Sequence, residues 1–452
     1  MRIALPENIK AYARVFAAAG APAYAVGGRV RNALLGLPPS DVDMASALTP
    51  EEVASLFTEA GAKIIEKAPE LGTVEIHFEG IAVEHTTFRG ESYSEGGEHR
   101  PQDVWFSGRL FDDAFRRDFT VNALYADLAS GEIIDPTGGL ADLDRRVLRT
   151  TSDNPDDILR SDALRVLRLA RFSAELGFEI EEKTFLAAKR NAPKLADIAA
   201  ERKRDELTKL LLADRKYHRP AGAVYEGLKL FDALGCLDEM LPELALGRGM
   251  EQRKDMHKYT VLEHALHTCE AAPAELMFRL AGLLHDVGKP RVFLDTGRYL
   301  GHDRVGEPIA RNILTRLKYP AGITNDVCQL VKFHMYDVQG TAKENTLRTK
   351  FGEWGRELTR RLIIMRETDI HGCGTDDTYV AERWRALLLD MDRRNTPFTV
   401  QELQLTGEDV MREMHLPPSP EIGRILDALW RHCLVTPEDN TIEKLAALMK
   451  TV

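Results

Sequence analysis

Two aspartates separated by one residue, Asp41 and Asp43, have the first spacing in the chain that suggests chemistry. They fall in the run DVDMA, which is typical of a strand, and the twofold repeat of a strand places both carboxylates on one face. Paired carboxylates bind Mg²⁺, and two such ions activate an attacking hydroxyl and stabilise a leaving oxygen. Glu84, in the strand-like run IAVEHTTF, is the candidate for a third carboxylate. An isolated Asp-x-Asp pair is more often a polar strand edge or turn, so further support is needed.

A glycine pair, Gly27-Gly28, stands between the strand-like run AYAV and the helical run GRVRNALLG. Such a turn lets backbone N–H groups approach a phosphate, and the following helix N-terminus adds positive potential. Arg31, one turn into the helix, is placed to supply charge-assisted hydrogen bonds. A tight turn explains a glycine pair alone. A glycine pair with an arginine, followed by Asp-x-Asp, is much less frequent by chance.

The elements that position these residues are strands and helices in the first third of the chain and helices thereafter. Two strand runs flank Glu79-Gly80, which predicts a hairpin turn. Thr49, Pro50 and Glu52 predict a capped helix start, and the spacing of apolar residues predicts one long helix over 156–177. The fold class is therefore α+β. The predicted parts are a mixed-sheet domain (1–148), a helical neck and body (149–245), a histidine-rich helical domain (246–395) and a small helical tail (396–452).

Four segments, GGRVRN, DVDMAS, TTFR and RRDFTVNAL, resemble in order and spacing the class II tRNA nucleotidyltransferase and bacterial poly(A) polymerase family. The resemblance implies a nucleotidyltransferase palm in which Asp41 and Asp43 bind Mg²⁺ and Glu84 is the third catalytic carboxylate. Asn32 departs from the aspartate usual in the family, which puts a supporting salt bridge in doubt. The resemblance also implies nucleotide contacts for Gly27, Gly28, Arg31, Arg117, Asp118 and Asn122.

Asp162 and Arg165, three residues apart, match the family motif that selects C and A without a nucleic-acid template. An aspartate accepts from the amino group of either base, and an arginine donates to the ring acceptors. Uracil or guanine aims a carbonyl at the aspartate, and such a mismatch costs ~1–3 kcal/mol. Ser161 stands where the family has glutamate, so the support of Arg165 is uncertain. The resemblance places Arg168 and Arg171 at the nucleotide as well. Without the resemblance, the spacing of Asp162 and Arg165 favours an ordinary ion pair on the surface of a helix.

The segment LAGLLHDVGKP, with His285 and Asp286, resembles the HD phosphohydrolase superfamily. Imidazole and carboxylate ligands on a helical bundle suit a divalent transition metal. A metal-dependent phosphohydrolase and a site retained only for folding are both open interpretations. The resemblance assigns the first ion to His264, His285, Asp286 and Asp369, and makes His302 and His334 the candidates for a second.

The bulk composition limits the partners. The net charge of −11 excludes a general attraction to nucleic acid, so tRNA would need a local basic surface. The five cysteines are far apart, without a Cys-x-x-Cys pair, which favours a reducing compartment. No stretch reaches the ~20 apolar residues of a membrane span, and residues 1–16 form an amphipathic pattern unlike a signal peptide. We therefore expect a cytoplasmic protein, and no obligate protein partner can be identified from the sequence.

The leading prediction is addition of C, C and A to the tRNA 3′ end from CTP and ATP, with release of pyrophosphate. The first competing hypothesis is a relative with narrower activity: an A-adding or CC-adding enzyme or a poly(A) polymerase. Residues 86–106 match the family's loop after the third carboxylate, which argues against CC addition alone, and the absence of a strongly basic tail argues against a poly(A) polymerase. Two hypotheses from different functional classes are a phosphohydrolase with a nucleotide-binding palm and a tRNA-binding protein without activity.

Overall fold

The computed structural model describes residues 1–92, 103–253 and 258–451. Much of the loop after the third carboxylate therefore lies outside the described residues. No helix in the described part of the chain is long and apolar enough to cross a membrane. The chain forms two compact units, Met1–Ala245 with Arg316–Lys318, and Leu246–Thr315 with Tyr319–Val452.

A mixed sheet is the framework of the first unit. Within the described residues its strand order is β3-β4-β5-β2-β1-β8-β9, and two short pairs, β6-β7 and β10-β11, lie outside it. The strands are β1 (Ala23–Val26), β2 (Asp43–Ser46), β3 (Lys63–Ala68), β4 (Thr73–Phe78), β5 (Ile81–Thr87), β6 (Arg89–Ser92), β7 (Asp103–Phe106), β8 (Tyr125–Asp127), β9 (Ile133–Ile134), β10 (Val147–Leu148) and β11 (Glu179–Ile180).

The strand pairing brings distant sequence segments side by side. β2 pairs with β1 in antiparallel and with β5 in parallel orientation. The predicted turn between β4 and β5 is confirmed, because Glu79 and Gly80 both have positive φ, as a two-residue hairpin turn requires. The strand predicted over 41–45 begins two residues too early, because β2 starts at Asp43 and Asp41 precedes it.

Helices cover this sheet and then form the rest of the first unit. α3 begins with the predicted capping box, in which Thr49 and Glu52 satisfy each other's backbone N–H groups. The bounds are α1 (Glu7–Ala18), α2 (Gly28–Leu35), α3 (Pro50–Glu59), α4 (Leu110–Phe115), α5 (Gly139–Arg145), α6 (Pro155–Ser161), α7 (Leu164–Leu176), α8 (Glu182–Asn191), α9 (Ala200–Leu211), α10 (Ala213–Lys216), α11 (Ala223–Ala233), α12 (Cys236–Met240) and α13 (Pro242–Ala245).

The single helix predicted over 156–177 is wrong, because the chain breaks it into α6 and α7. Asp162 is extended, with φ −145° and ψ 100°. Its carboxylate accepts a hydrogen bond from the Leu164 backbone N–H at 3.1 Å and so starts a new helix. Aspartate competes for backbone donors in this way, which apolar periodicity does not reveal. The predicted end at Gly177 is confirmed by its left-handed conformation.

The regular elements among the described residues of the second unit are helices. α19 contains a kink at Gly355, which has φ 78°. The helices are α14 (Val261–Ala271), α15 (Leu276–Leu284), α16 (Lys289–Thr296), α17 (His302–Arg316), α18 (Ala321–Phe333), α19 (Glu344–Gly372), α20 (Tyr379–Arg393), α21 (Gly407–Met414), α22 (Pro420–Val435) and α23 (Ile442–Leu448). The predicted α+β class, with helices after the sheet domain, is confirmed.

Candidate active site and metal centre

The predicted carboxylates meet at the centre of the mixed sheet. Asp43 on β2 lies directly opposite Glu84 on β5, and opposite residues of paired strands point to the same face. Both residues keep exposed surface, whereas Val83 and His85 beside Glu84 are buried. Glu84 therefore faces away from the hydrophobic interior, as a metal-binding role requires. Asp41 precedes β2, and its charge acts on Asp43.

The surroundings of Asp43 favour a cation. Desolvation by the surrounding groups raises the pKa of Asp43 to about 6, and the charges of Glu84 and Asp41 act in the same direction. The Arg117 guanidinium opposes this shift. A divalent ion beside these carboxylates would relieve their mutual repulsion. The residues present therefore fit Mg²⁺, a hard cation that prefers oxygen ligands.

The glycine turn lies beside the same carboxylates. Val26, the residue before Gly27, pairs with Asp43 across β1 and β2. Gly27 has φ 74°, and a Cβ atom there would stand 3.6 Å from Oδ2 of Asp43. The turn thus needs glycine for its backbone conformation. At Gly28 a Cβ atom would stand only 2.9 Å from Oγ of Ser40, a hydroxyl at the turn that the motifs did not single out.

Arg31 is buried and makes several hydrogen bonds within the protein. It donates to the side-chain oxygens of Asn32 and Asn122 and to the hydroxyl of Tyr217. Asn32 also donates to Tyr217 and to the Pro38 carbonyl. The uncharged Asn32 thus still supports Arg31, with Tyr217 as a second partner. The predicted contact of Arg31 with a triphosphate stays a prediction.

Further predicted nucleotide residues form one hydrogen-bonded chain with Arg31. Asn122 accepts from Arg31 and donates to Oδ1 of Asp118 at 3.1 Å. Oδ2 of Asp118 pairs with Arg168, whose Nη2 lies 2.6 Å away. Burial would raise the pKa of Asp118, but Arg168 and Asn122 outweigh it and lower the pKa to about 2. The structure therefore brings four predicted residues together, and the aspartate among them is ionised at neutral pH.

Asp113 orients Arg117 and was not recognised from the sequence. It is fully buried, and Oδ2 accepts from Arg117 at 2.8 Å and from the Tyr125 hydroxyl at 2.6 Å. Oδ1 accepts from Arg116 at 2.8 Å. Asp113 precedes the two arginines by three and four residues, which is the spacing of neighbours on a helix. That spacing is the sequence signal from which Asp113 could have been recognised as a partner of the two arginines.

The predicted base-reading pair is held from several sides. Nη1 of Arg165 donates to the Ile158 carbonyl at 3.0 Å and to Oγ of Ser161 at 3.1 Å, while Nη2 donates to the Arg116 carbonyl at 2.8 Å. Ser161 therefore still supports Arg165 where the family has glutamate. Asp162 lies 3.6 Å from Nη2 of Arg202.

Arg171 lies in the interior of the first unit. It pairs with Glu206 at 2.6 Å and with Glu175 at 3.0 Å, and its guanidinium stacks on Phe172 at 4.0 Å. These contacts tie α7 to α9. The predicted contact of Arg171 with the nucleotide remains a prediction, and this geometry gives the side chain structural partners.

The six predicted ligands of the second unit come together around Asp286. Its Oδ1 lies 3.0 Å from Nε2 of His302, and its Oδ2 lies 3.2 Å from Nε2 of His285. Asp286 thus stands between two groups of candidate ligands, although the resemblance assigned it to the first alone. The two groups, each with ligand atoms within 4.8 Å of one another, are His264, His285 and Asp369, and Asp286, His302 and His334.

Backbone carbonyls orient three of the imidazoles. Nδ1 of His285, His302 and His334 lies 2.7–2.8 Å from the carbonyl oxygen three residues earlier in each case. Nδ1–H donation to these carbonyls fixes the tautomer and leaves Nε2 with a lone pair towards the centre. This is the arrangement that metal-binding histidines adopt.

The charges of this centre also fit divalent ions. Oδ2 of Asp286 and Oδ1 of Asp369 are buried, and among the described residues neither atom has a partner in full hydrogen-bond geometry. Their close neighbours are Nζ of Lys289, 2.5 Å from the first, and Nε2 of His264, 3.1 Å from the second. Burial would lower the pKa of His285, but Asp286 and Asp369 raise it to about 10. The centre therefore favours positive charge. It opens into a cavity of about 620 Å³, whose lining includes Lys289, Arg366, Leu300, Met335 and Tyr379.

Three family models match the chain in sequence order. A "Poly A polymerase head domain" matches residues 23–149, and a "Probable RNA and SrmB- binding site of polymerase A" matches residues 177–246. An "HD domain" matches residues 255–371.

Similar proteins cover nearly the whole chain. An A-adding tRNA nucleotidyltransferase of Deinococcus radiodurans is 38% identical, and the match covers 89% of each chain. A CCA-adding enzyme of Lactiplantibacillus plantarum is 32% identical over 96% of this chain and 93% of the relative. A CC-adding tRNA nucleotidyltransferase of Thermus thermophilus is 34% identical over 90% and 88%.

The crystal structure of the Bacillus stearothermophilus CCA-adding enzyme in complex with CTP superimposes with a TM-score of 0.70 at 26% identity, covering 98% of this chain and 96% of that one. The protein is thus a nucleotidyltransferase with a polymerase head domain and an HD domain. This chain belongs to the tRNA nucleotidyltransferase family.

Proposed function

We propose that this protein adds C, C and A to the 3′ end of tRNA, using CTP and ATP. The observation that carries the proposal is the pairing of Asp43 with Glu84 beside the Gly27 turn. The carboxylates and the phosphate-binding turn are the two parts that nucleotidyl transfer requires. Mg²⁺ held by Asp41 and Asp43 would activate the tRNA 3′-hydroxyl and neutralise the α-phosphate.

The other side chains act by positioning and charge. Asp118 and Arg168 are proposed to hold the nucleotide, with Arg117 oriented by Asp113 beside the carboxylates. Asp162 and Arg165 are proposed to read the base edge. The 3′-hydroxyl attacks the α-phosphorus, a new P–O bond forms, and the bond to the leaving pyrophosphate breaks. Catalysis of this kind depends on orientation and charge neutralisation rather than on a covalent intermediate.

The test uses three tRNA transcripts, which end before the first C, before the second C and before the final A. The wild-type protein should extend all three with labelled CTP or ATP. Asp41→Ala should lose incorporation by at least about a thousandfold, because charge stabilisation of this kind is worth several kcal/mol. Glu51→Ala, an exposed carboxylate on α3, is the matched control. Full activity of Asp41→Ala would refute the proposal.

Addition of A alone is the second candidate, and the 38% identity to an A-adding relative is the observation that favours it. The same three transcripts distinguish the candidates. An A-adding enzyme extends only the transcript that already ends in both cytidines. Extension of the two shorter transcripts with CTP, together with extension of the third transcript with ATP, establishes CCA addition.

We further propose that the second unit is a metal-dependent phosphohydrolase. Its support is the position of Asp286 between two groups of ligands. Nζ of Lys289 lies 2.5 Å from Oδ2 of Asp286 and would place a positive charge beside a bound phosphate. Two divalent ions there would supply an activated water. The intact protein should hydrolyse phosphomonoesters or 2′,3′-cyclic nucleotides with Mn²⁺, Co²⁺ or Ni²⁺. Asp286→Ala should remove this turnover and leave nucleotide addition intact, and no turnover with any of these metals would refute it.

A further inference from the structure

Arg202, in the first turn of α9, stands next to the proposed base-reading aspartate. Its Nη2 atom lies 3.6 Å from Oδ2 of Asp162, which is the distance of an ion pair rather than of a hydrogen bond. The other oxygen of Asp162 accepts from the Leu164 backbone N–H. Arg202 therefore flanks Oδ2, the oxygen of Asp162 that Leu164 does not engage.

The second terminal nitrogen of Arg202 is an unused donor. Nη1 is buried and has no hydrogen-bond partner among residues 1–92, 103–253 and 258–451. Burial lowers the pKa of Arg202, and the nearby charge of Arg168 adds to this, while Asp162 opposes it. An unsatisfied buried donor costs ~1–3 kcal/mol, and a ligand that supplies an acceptor removes that cost.

Arg165, by contrast, already commits three of its five N–H donors to the protein. Both of its terminal nitrogens already donate, to the carbonyls of Ile158 and Arg116 and to Ser161. A base could take a hydrogen bond from Arg165 through Nε or the second N–H of Nη2. Nη1 of Arg202 has no acceptor to give up among the described residues, and a small movement of the buried side chain would expose it beside Asp162.

We propose that Arg202 is a specificity-determining residue of the nucleotide site, with Nη1 donating to a ring acceptor of the incoming C or A. Asp162 then accepts from the amino group of the same base, and the ion pair with Arg202 holds its carboxylate in position. The inference rests on the proposed nucleotide addition and assigns Arg202 to it in addition to Arg165. A uracil or guanine would present an N–H to Arg202 and a carbonyl to Asp162, so both contacts would be lost.

The experiment compares the wild type, Arg202→Gln and Arg202→Lys in single-nucleotide addition with each of the four nucleoside triphosphates. The matched control is Arg190→Ala, which removes another arginine of the first unit that pairs with an aspartate. Arg202→Gln should lower the preference for CTP over UTP, and for ATP over GTP, by about tenfold, the effect of one buried hydrogen bond. Arg202→Lys should recover part of the preference.

Two different results would overturn the inference. An equal rise in KM for all four nucleotides would place Arg202 at a phosphate or ribose instead of the base. A lower melting temperature with unchanged nucleotide preference would make it a structural residue. Thermal unfolding of each variant identifies misfolded protein, and CTP binding at equilibrium reports on any variant that is folded but inactive. Incorporation of C or A by the wild type in the same assay tests the proposed function separately.

Discussion

Ser161 illustrates how one uncharged residue maintains a site in which the family usually has a carboxylate. Its hydroxyl donates to the Ile158 carbonyl at 2.8 Å and accepts from Arg165 at 3.1 Å. Among the described residues, the hydrogen-bond acceptors of the Arg165 guanidinium are therefore all neutral. Neutral hydrogen bonds are weaker than charge-assisted ones, so the orientation of Arg165 depends on all of its acceptors together.

Replacing Ser161 with alanine should lower kcat/KM for both CTP and ATP by about three- to tenfold, since one buried hydrogen bond is lost. The measurement is steady-state addition to tRNA transcripts. Ser173→Ala, which removes a hydroxyl of α7 that donates to the Phe178 carbonyl, is the control. Equal kinetics for Ser161→Ala and the wild type would show that the remaining acceptors of Arg165 suffice.

Asp118 gives the first unit a predictable sensitivity to acid. Its pKa is lowered to about 2 in the folded protein, because Arg168 and Asn122 outweigh burial. A depressed folded pKa contributes stability that is present above the ordinary carboxyl pKa and is lost as the pH falls through about 4 towards 2. The pair should therefore contribute about 2 kcal/mol at neutral pH.

The measurement is urea unfolding of the wild type and Asp118→Asn at pH 7, 5 and 3. The difference in unfolding free energy should be largest at pH 7 and 5 and should shrink at pH 3. A difference that stays constant over this range would contradict an ionised Asp118 paired with Arg168.

At the scale of elements, the capping box of α3 tests whether local sequence stabilises the palm. Thr49→Ala removes the acceptor of the Glu52 backbone N–H and should lower the free energy of unfolding by about 1 kcal/mol. Urea unfolding measures this. Thr58→Ala removes an exposed hydroxyl near the other end of the same helix and serves as control. Equal losses in the two variants would argue against the capping contribution.

The hairpin of β4 and β5 and the break between α6 and α7 show which elements sequence patterns predict and which they miss. The hairpin of β4 and β5 follows from alternating residues around Glu79-Gly80, and the structure confirms it. The break between α6 and α7 depends on one side chain, Asp162, that bonds to its own backbone neighbourhood. Apolar periodicity averages over many residues and does not detect such a local contact.

At the scale of the whole molecule, the centre around Asp286 should make the stability of the protein depend on metal. Removal of divalent ions with a chelator should lower the melting temperature, because ligands that bind only the folded state stabilise it. Metal analysis of the reloaded protein should find up to two ions more than in Asp286→Ala. The same metal content in both proteins, with no change in melting temperature, would contradict a metal centre.

Residue types and short spacings were enough to predict β1, β4 and β5, the hairpin and the capped helix, and they indicated candidate residues for metal and phosphate binding. The resemblance to a known family added their grouping into sites. The packed fold was needed to show that Asp286 faces both groups of ligands, that Asp113 orients Arg117 from a fully buried position, and that Arg202 flanks Asp162. These contacts depend on the direction of individual side chains after packing, often between residues far apart in the chain.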